Sequence, residues 1–146
     1  MNYTKNYQLN QWDASDYVRR EDFNEDNRKI EKAIANAGAK FAGGTYVGTG
    51  TYSEENPVRL QFSFEPKLIL LTNCGGADRY SDGFAVLIQG QTKAFLLLAN
   101  GSDMNSTMFW KLYVTWNGTE VSWYNPNNEN TSMNHNGYTY NYIAIG

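Results

Sequence analysis

The 146-residue chain contains one cysteine and one histidine. Cys74 by itself cannot close an intrachain disulfide, and Cys74 with His135 makes no ligand set for a structural zinc. No metal or other cofactor is expected, and any metal chemistry would have to rest on oxygen ligands. Long hydrophobic runs are also missing, since no segment approaches the ~18 consecutive apolar residues of a membrane span. The opening MNYTKNYQLNQWD has neither a basic start nor an apolar stretch, so the expectation is a soluble product made in the cytoplasm, with no membrane partner. Positive charge is scarce. The formal net charge is -3, and no Lys/Arg run is interleaved with aromatics, so the footprint of a phosphate binder is absent and nucleic acid is not an expected partner.

Aromatic residues, by contrast, are plentiful, at 15% against 18% charged, a balance that favours strands over a disordered chain. The sequons at Asn100, Asn105, Asn117 and Asn130 read as by-products of loops rich in Asn and Thr. The composition divides the chain into an extended N-terminal segment over residues 1–21, a helix or stalk over 22–38 and a β head over 39–146. Asp22 suits an N-cap, Glu25 follows it with capping-box spacing, and Gly38 is a natural stop, which predicts a helix from Phe23 to Ala37.

The stripe Phe23, Asn27, Ile30, Ile34 and Ala37 steps by four and three, the spacing of a heptad. It fits a parallel oligomeric stalk in which a buried Asn27 sets the register. It fits equally a helix packed on its own β head, the usual fate of an amphipathic helix.

Beyond Gly44 the rhythm is that of strands. Val58, Leu60, Phe62 and Phe64 alternate with polar residues, while Leu68 to Thr72, Phe84 to Ile88 and Ala94 to Ala99 are apolar runs. Asn117-Gly118 marks a type I′ hairpin between strands at about Met108 to Trp116 and Thr119 to Asn125, and a last strand spans Tyr138 to Ile145. The expected fold is mostly β: an antiparallel β-sandwich head behind a short helix, assembled as a trimer. A strand in an antiparallel sandwich needs one apolar face, yet these runs are apolar on both, so a second surface should cover them.

Loops supply the candidate binding residues. Asp78, Arg79, Tyr80 and Asp82 in the segment NCGGADRYSDG can donate, accept and stack, as sugar recognition requires. Asp103 and Asn105 stand in a polar loop over residues 100–107, and Asn128, His135 and Tyr138 in or beside an Asn-rich loop over 125–136. Trp110, Trp116 and Trp123 share strand faces with aliphatic residues and read as core. Tyr113, Tyr124, Tyr140 and Tyr142 lie on the opposite faces, where Tyr113, Tyr140 and Tyr142 fit an oligomer seam better than a binding groove. Catalysis is not expected. Asp78 and Asp82 are the nearest approach to a carboxylate pair, a serine triad would rest on His135 alone, and no G-x-S-x-G elbow occurs.

The N-terminal NYQLNQWDASDYVRREDFNEDNRKIEKAIA, with Trp12, Arg20, Asp22, Phe23, Asn24, Asn27 and Ile30, resembles the helical module ahead of C-terminal heads in tail-fibre proteins of phages and prophages of Gram-positive gut bacteria. RLQFSFEPKLILLT is similar to a stretch of H-type lectin-like sandwiches, and YNYIAIG resembles the closing strand of fibre heads. The resemblance implies a virion tail protein, a homotrimer that binds a bacterial surface carbohydrate, with its N-terminal segment contacting other tail or baseplate proteins. A repeated shaft is missing from this chain, and no lectin sugar-binding residue carries across. The alternatives are a purely structural trimeric virion component and, further off, a polysaccharide depolymerase.

Overall fold

The computed structural model describes residues 2–73, 83–100 and 103–146, with the main chain alone at 99–100 and 103–107. The chain divides into two compact units, 1–39 and 40–146.

The first unit pairs β1 (Asn2–Tyr3) with β2 (Asn10–Gln11) ahead of α1 (Arg20–Ala37). The helix begins earlier than its sequence predicts. Asp22 is its third residue instead of its cap: Oδ2 of Asp22 accepts the main-chain N–H of Arg19 at 3.2 Å, which releases the turn before Phe23 to become helical. Glu21 and Asp22 place negative charge at the positive end of the helix dipole. At the other end Gly38 terminates the helix in an extended conformation.

Polar side chains of α1, with Phe23, do the packing within this unit. Asp26 is buried, and both its oxygens accept the Asn10 N–H, at 3.1 and 3.0 Å, while Lys29 Nζ donates to the Gln8 carbonyl at 2.6 Å. Trp12 stacks on Phe23 with ring centroids 5.7 Å apart. The rest of the heptad stripe faces water, with Ile30 41% and Ile34 69% exposed and Asn27 also exposed.

The second unit consists of β3 (Phe41–Val47), β4 (Val58–Gln61), β5 (Leu68–Asn73), β6 (Gly83–Ile88), β7 (Lys93–Asn100), β8 (Asp103–Asn117), β9 (Glu120–Tyr124) and β10 (Thr139–Ile145). Among the described residues these form one 8-stranded antiparallel sheet in the order β3-β10-β5-β6-β7-β8-β9-β4. The expected sandwich is therefore replaced by a continuous sheet that curls over its own core. The joint is β8, 15 residues long, whose first part pairs with β7 and whose end, Tyr113 to Asn117, pairs with β9. Curling brings distant strands together across the core. Tyr46 of β3 meets Trp123 of β9 at 5.8 Å between ring centroids, and Phe62, just past β4, meets Tyr142 of β10 at 5.7 Å.

Alternation decides which side chains enter that core. Ile69, Leu71, Leu87, Leu96, Leu112, Val121 and Trp123 are fully buried, at roughly 1.5–3 kcal/mol for each large apolar side chain. Trp110 and Trp116 lie against the same core, on the face their spacing predicts. The β8–β9 turn sits one residue later than expected: Asn117 pairs with Glu120, and positive φ occurs at Gly118 (61°), as in type II′ and not type I′. The first strand, β3, is one that the sequence hides behind Gly43 and Gly44. Gly44 leaves room for the Tyr142 ring, since a Cβ there would lie 2.7 Å from the Tyr142 hydroxyl and the ring would have to move.

Candidate functional site

The segment between β9 and β10 folds back into the β unit. Asn125, Thr131, Ser132, Met133 and Asn134 are buried, and nearly every polar atom they bring is paired. Ser132 Oγ accepts the Asn125 N–H at 2.9 Å and donates to its carbonyl at 3.0 Å, while Asn125 Nδ2 donates to the Lys111 carbonyl at 2.7 Å. Asn134 Nδ2 donates to the Thr51 carbonyl at 2.8 Å and lies within reach of both the Thr49 and Thr51 hydroxyls, and its Oδ1 accepts the Thr49 N–H at 3.0 Å. The Tyr46 hydroxyl donates to the Met133 carbonyl and the Trp123 indole to that of Ser132. Much of the Asn-rich loop is thus a plug in the end of the curled sheet, and its amides are spent on holding the chain.

Three of the predicted binding residues lie in or beside this loop. His135 is partly buried, its ring against Tyr138 at 4.3 Å between centroids and its Nδ1 2.7 Å from Glu129 Oε1. That approach misses hydrogen-bond direction, so it acts as an ion pair when the ring is protonated. Gly48 admits this arrangement, since a Cβ there would collide with the His135 carbonyl. Asn128 stands apart from that pair and is exposed, with its Oδ1 accepting the Thr131 N–H at 2.9 Å. It borders a recess of about 150 Å³ lined also by Leu98, Met108, Trp110, Asn130 and Thr131.

The main chain of Asp103 and Asn105 belongs to β8, in place of the expected loop over 100–107; Asn100 pairs with Asp103 after a register shift. Asp78, Arg79, Tyr80 and Asp82 lie outside the described residues.

The tyrosine seam is divided by the pleat. Tyr113 faces outward, stacked on Tyr124 at 5.3 Å, with Lys93 Nζ 5.4 Å from its ring. Tyr140 instead points into the core, stacked on Tyr46 at 5.0 Å, and Tyr142 packs inward on Phe62 and Gly44. The Tyr140 hydroxyl accepts the His135 N–H at 3.0 Å, and burial pushes its pKa up to about 12. Burial likewise holds the Tyr46 phenol well above its ordinary pKa.

What the outward face presents instead is aliphatic and phenyl. In register from one strand to the next run Ile143, Leu70 and Val86, and likewise Phe84, Leu97 and Phe109, with Phe95 between them. Phe95 and Phe109 are 69% and 72% exposed. A recess of about 430 Å³ lies on this face between Phe84, Ile88, Phe95 and Phe109. Residues apolar on both faces of β5, β6 and β7 are the sequence signal for this surface. The share of Phe109 and Ile143 is not legible in the same way, because on their own strand faces Phe109 is followed by Lys111 and Ile143 is preceded by Asn141.

No protein-family model, curated protein or solved structure matches this chain. Among the described residues no cluster of His, Cys, Asp or Glu is placed to hold a metal ion, and no helix is long and apolar enough to cross a membrane.

Proposed function

We propose that the chain is a receptor-binding protein of the phage or prophage tail-fibre kind, whose β unit forms a homotrimer and recognises a bacterial surface glycan. The observation that carries the reading is the outward apolar face of the sheet. Large phenyl rings at Phe95 and Phe109 left in water are a self-association surface in waiting, since contiguous apolar patches mark interaction sites. The exposed Ile30 and Ile34, in heptad step with Phe23 and Asn27, support a parallel stalk. The two halves of the curled sheet would serve as the layers of a sandwich-like head, and the N-terminal hairpin and helix as the attachment to other tail or baseplate proteins.

One shallow site binds a sugar weakly. Three on a common axis gain through effective concentration, which raises avidity ~10²–10⁴-fold. The test is binding of the labelled full chain to bacterial cells and to their extracted polysaccharides, beside its mass by light scattering at micromolar concentration. Saturable binding by a trimer is expected; a monomer that binds neither cells nor polysaccharide rejects the reading.

A second reading, a structural virion component without receptor activity, draws on the plug: Asn125, Ser132 and Asn134 spend their hydrogen bonds internally, as a capping element would. A trimer without affinity for any surface polysaccharide would favour it. Depolymerase activity has less support. Glu120 is paired with Arg59 at 3.1 Å, Glu129 with His135, and Glu65 accepts from Gln89, so these carboxylates are occupied in structural contacts.

A further inference from the structure

We infer that β3 is a pairing edge for a second copy of this chain, with β3 of one copy antiparallel to β3 of the other about a two-fold axis at Gly44. The inference goes beyond the receptor-binding reading and does not depend on it. β3 is one rim of the sheet and among the described residues pairs only with β10. Lys40 and Gly146 exchange both main-chain bonds, at 3.2 and 2.9 Å, and the Gly48 N–H donates to the Tyr138 carbonyl at 2.7 Å. Main-chain groups in an antiparallel ladder point alternately to either side, so Ala42, Gly44 and Tyr46 face β10 along with Lys40 and Gly48. The N–H and C=O groups of Phe41, Gly43, Thr45 and Val47 point away from it, and none has a main-chain partner among the described residues.

That rim is open to water. Phe41, Gly43, Thr45 and Val47 are all exposed, and the exposed surface of Gly43 can belong only to its main chain. The devices that blunt a sheet edge are missing from it: FAGGTYV holds no charge and no proline, and its register with β10 runs without a bulge. The other rim is different. β4 is 4 residues long, and only Arg59 and Gln61 turn their main chain outward there, since Phe62 donates to the Thr119 carbonyl across β9. Arg59 adds a charge, ion-paired with Glu120, to that edge.

Register chooses the occupant. With Gly44 on the axis, Phe41 falls opposite Val47 of the second copy and Gly43 opposite its Thr45, so every outward N–H and C=O of both strands finds a partner. Phe41 and Val47, 66% and 59% exposed in one copy, then cover each other on the outer side as an aromatic against a β-branched residue. Pairing β3 with β4 instead would leave outward groups of β3 unmatched and bring Arg59 to the seam. Two strands of 7 residues bury well under the ~1,200 Å² of a stable interface, so the contact is weak, with a Kd of ~0.1–1 mM. Copies held side by side reach roughly millimolar effective concentrations, at which such a contact forms. In the sheet order β10, β5 and β6 separate β3 from β7, which leaves the Phe95 surface out of it.

The experiment follows the full chain by sedimentation equilibrium from ~10 µM to ~1 mM, with amide hydrogen exchange read at both ends of that range. The mass at the upper end should be about 1.5-fold or more that at the lower, and exchange at Gly43 and Thr45 should slow about two-fold or more while Arg59 and Gln61 are unchanged. Thr45→Pro removes an outward N–H that β10 does not use, and Val47→Lys sets a charge on the rim; both should keep the dilute mass and lose the rise. The chain carrying Phe95→Lys and Phe109→Lys should keep the rise, because its changes lie on other strands. A mass that stays flat up to ~1 mM overturns the edge, as does a rise that persists in both rim variants or vanishes with the two phenylalanines. Slowed exchange at Arg59 and Gln61 together with β3 means head-to-tail pairing and overturns the two-fold contact. The exchange measurement uses the unmodified chain, so it decides the matter even if a rim variant does not fold.

Discussion

Tyr140 shows how one position can serve a fold in a way its residue type does not announce. Its spacing put it with Tyr113 on an outer seam, but the pleat turns it inward onto Tyr46, where its hydroxyl accepts from His135. Burial raises its pKa from 10.0 to about 12. A phenol that stays protonated in the native state and ionises earlier when unfolded contributes stability that is complete below pH 10 and is lost as pH rises through about 12. The loss is on the order of 2 kcal/mol. Urea titrations at pH 8 and near pH 11 should therefore show a fall that Tyr140→Phe flattens, although that variant starts about 1 kcal/mol lower for want of the His135 contact. An unchanged alkaline slope in Tyr140→Phe would assign the effect to other groups. At Asn134 the expected cost is larger, because its amide satisfies Thr49 and Thr51 from a buried position. Asn134→Ala should lose about 2–4 kcal/mol in denaturant unfolding, and a loss below ~0.5 kcal/mol would mean the loop is not a plug.

At the scale of elements, the helix and the hairpin turn were both legible in type and both displaced in detail. The heptad stripe marks an amphipathic helix, but inside the first unit only Phe23 of that stripe is engaged, under Trp12, and the contact is otherwise polar, with Asp26 holding Asn10. Periodicity counts apolar residues and is blind to a buried carboxylate that finds two N–H contacts. Asp26→Ala should speed hydrogen exchange at the Asn10 amide while the amides at the centre of α1 keep their protection. In the β8–β9 turn the Asn-Gly pair signalled a reversal correctly, but only Gly118 takes positive φ. Gly118→Ala is accordingly expected to cost about 1 kcal/mol and Asn117→Ala under ~0.5 kcal/mol, read from unfolding midpoints; the reverse order would restore the type I′ turn. The candidate site was less legible. The polar loop marks Asn128, but strand alternation marks Trp110 only as core, since it cannot reveal that a core-facing indole meets no acceptor among the described residues.

For the molecule as a whole, the proposed assembly rests on the outward face of the sheet. Phe95 and Phe109 are the most exposed of its rings and contribute nothing to the core. Replacing both by Lys should leave the unfolding free energy of the isolated chain within ~0.5 kcal/mol while shifting the light-scattering mass from trimer to monomer. If the double variant remains a trimer, the heptad stripe and not the sheet face holds the subunits together. Avidity for whole cells should fall with the trimer.

By itself the sequence determined the helix and most strands of the β unit in their order, because periods of about 3.6 and 2 are local properties of a chain against water; it did not determine β3, hidden behind Gly43 and Gly44, or the start of β8 at Asp103. It also determined that β5, β6 and β7 carry more apolar surface than one core can use. Only the tertiary structure decided that the strands form one curled sheet, since that depends on β8 being shared between two neighbours. It alone also turned Tyr140 and Tyr142 inward, because orientation across a pleat depends on residues far apart in sequence.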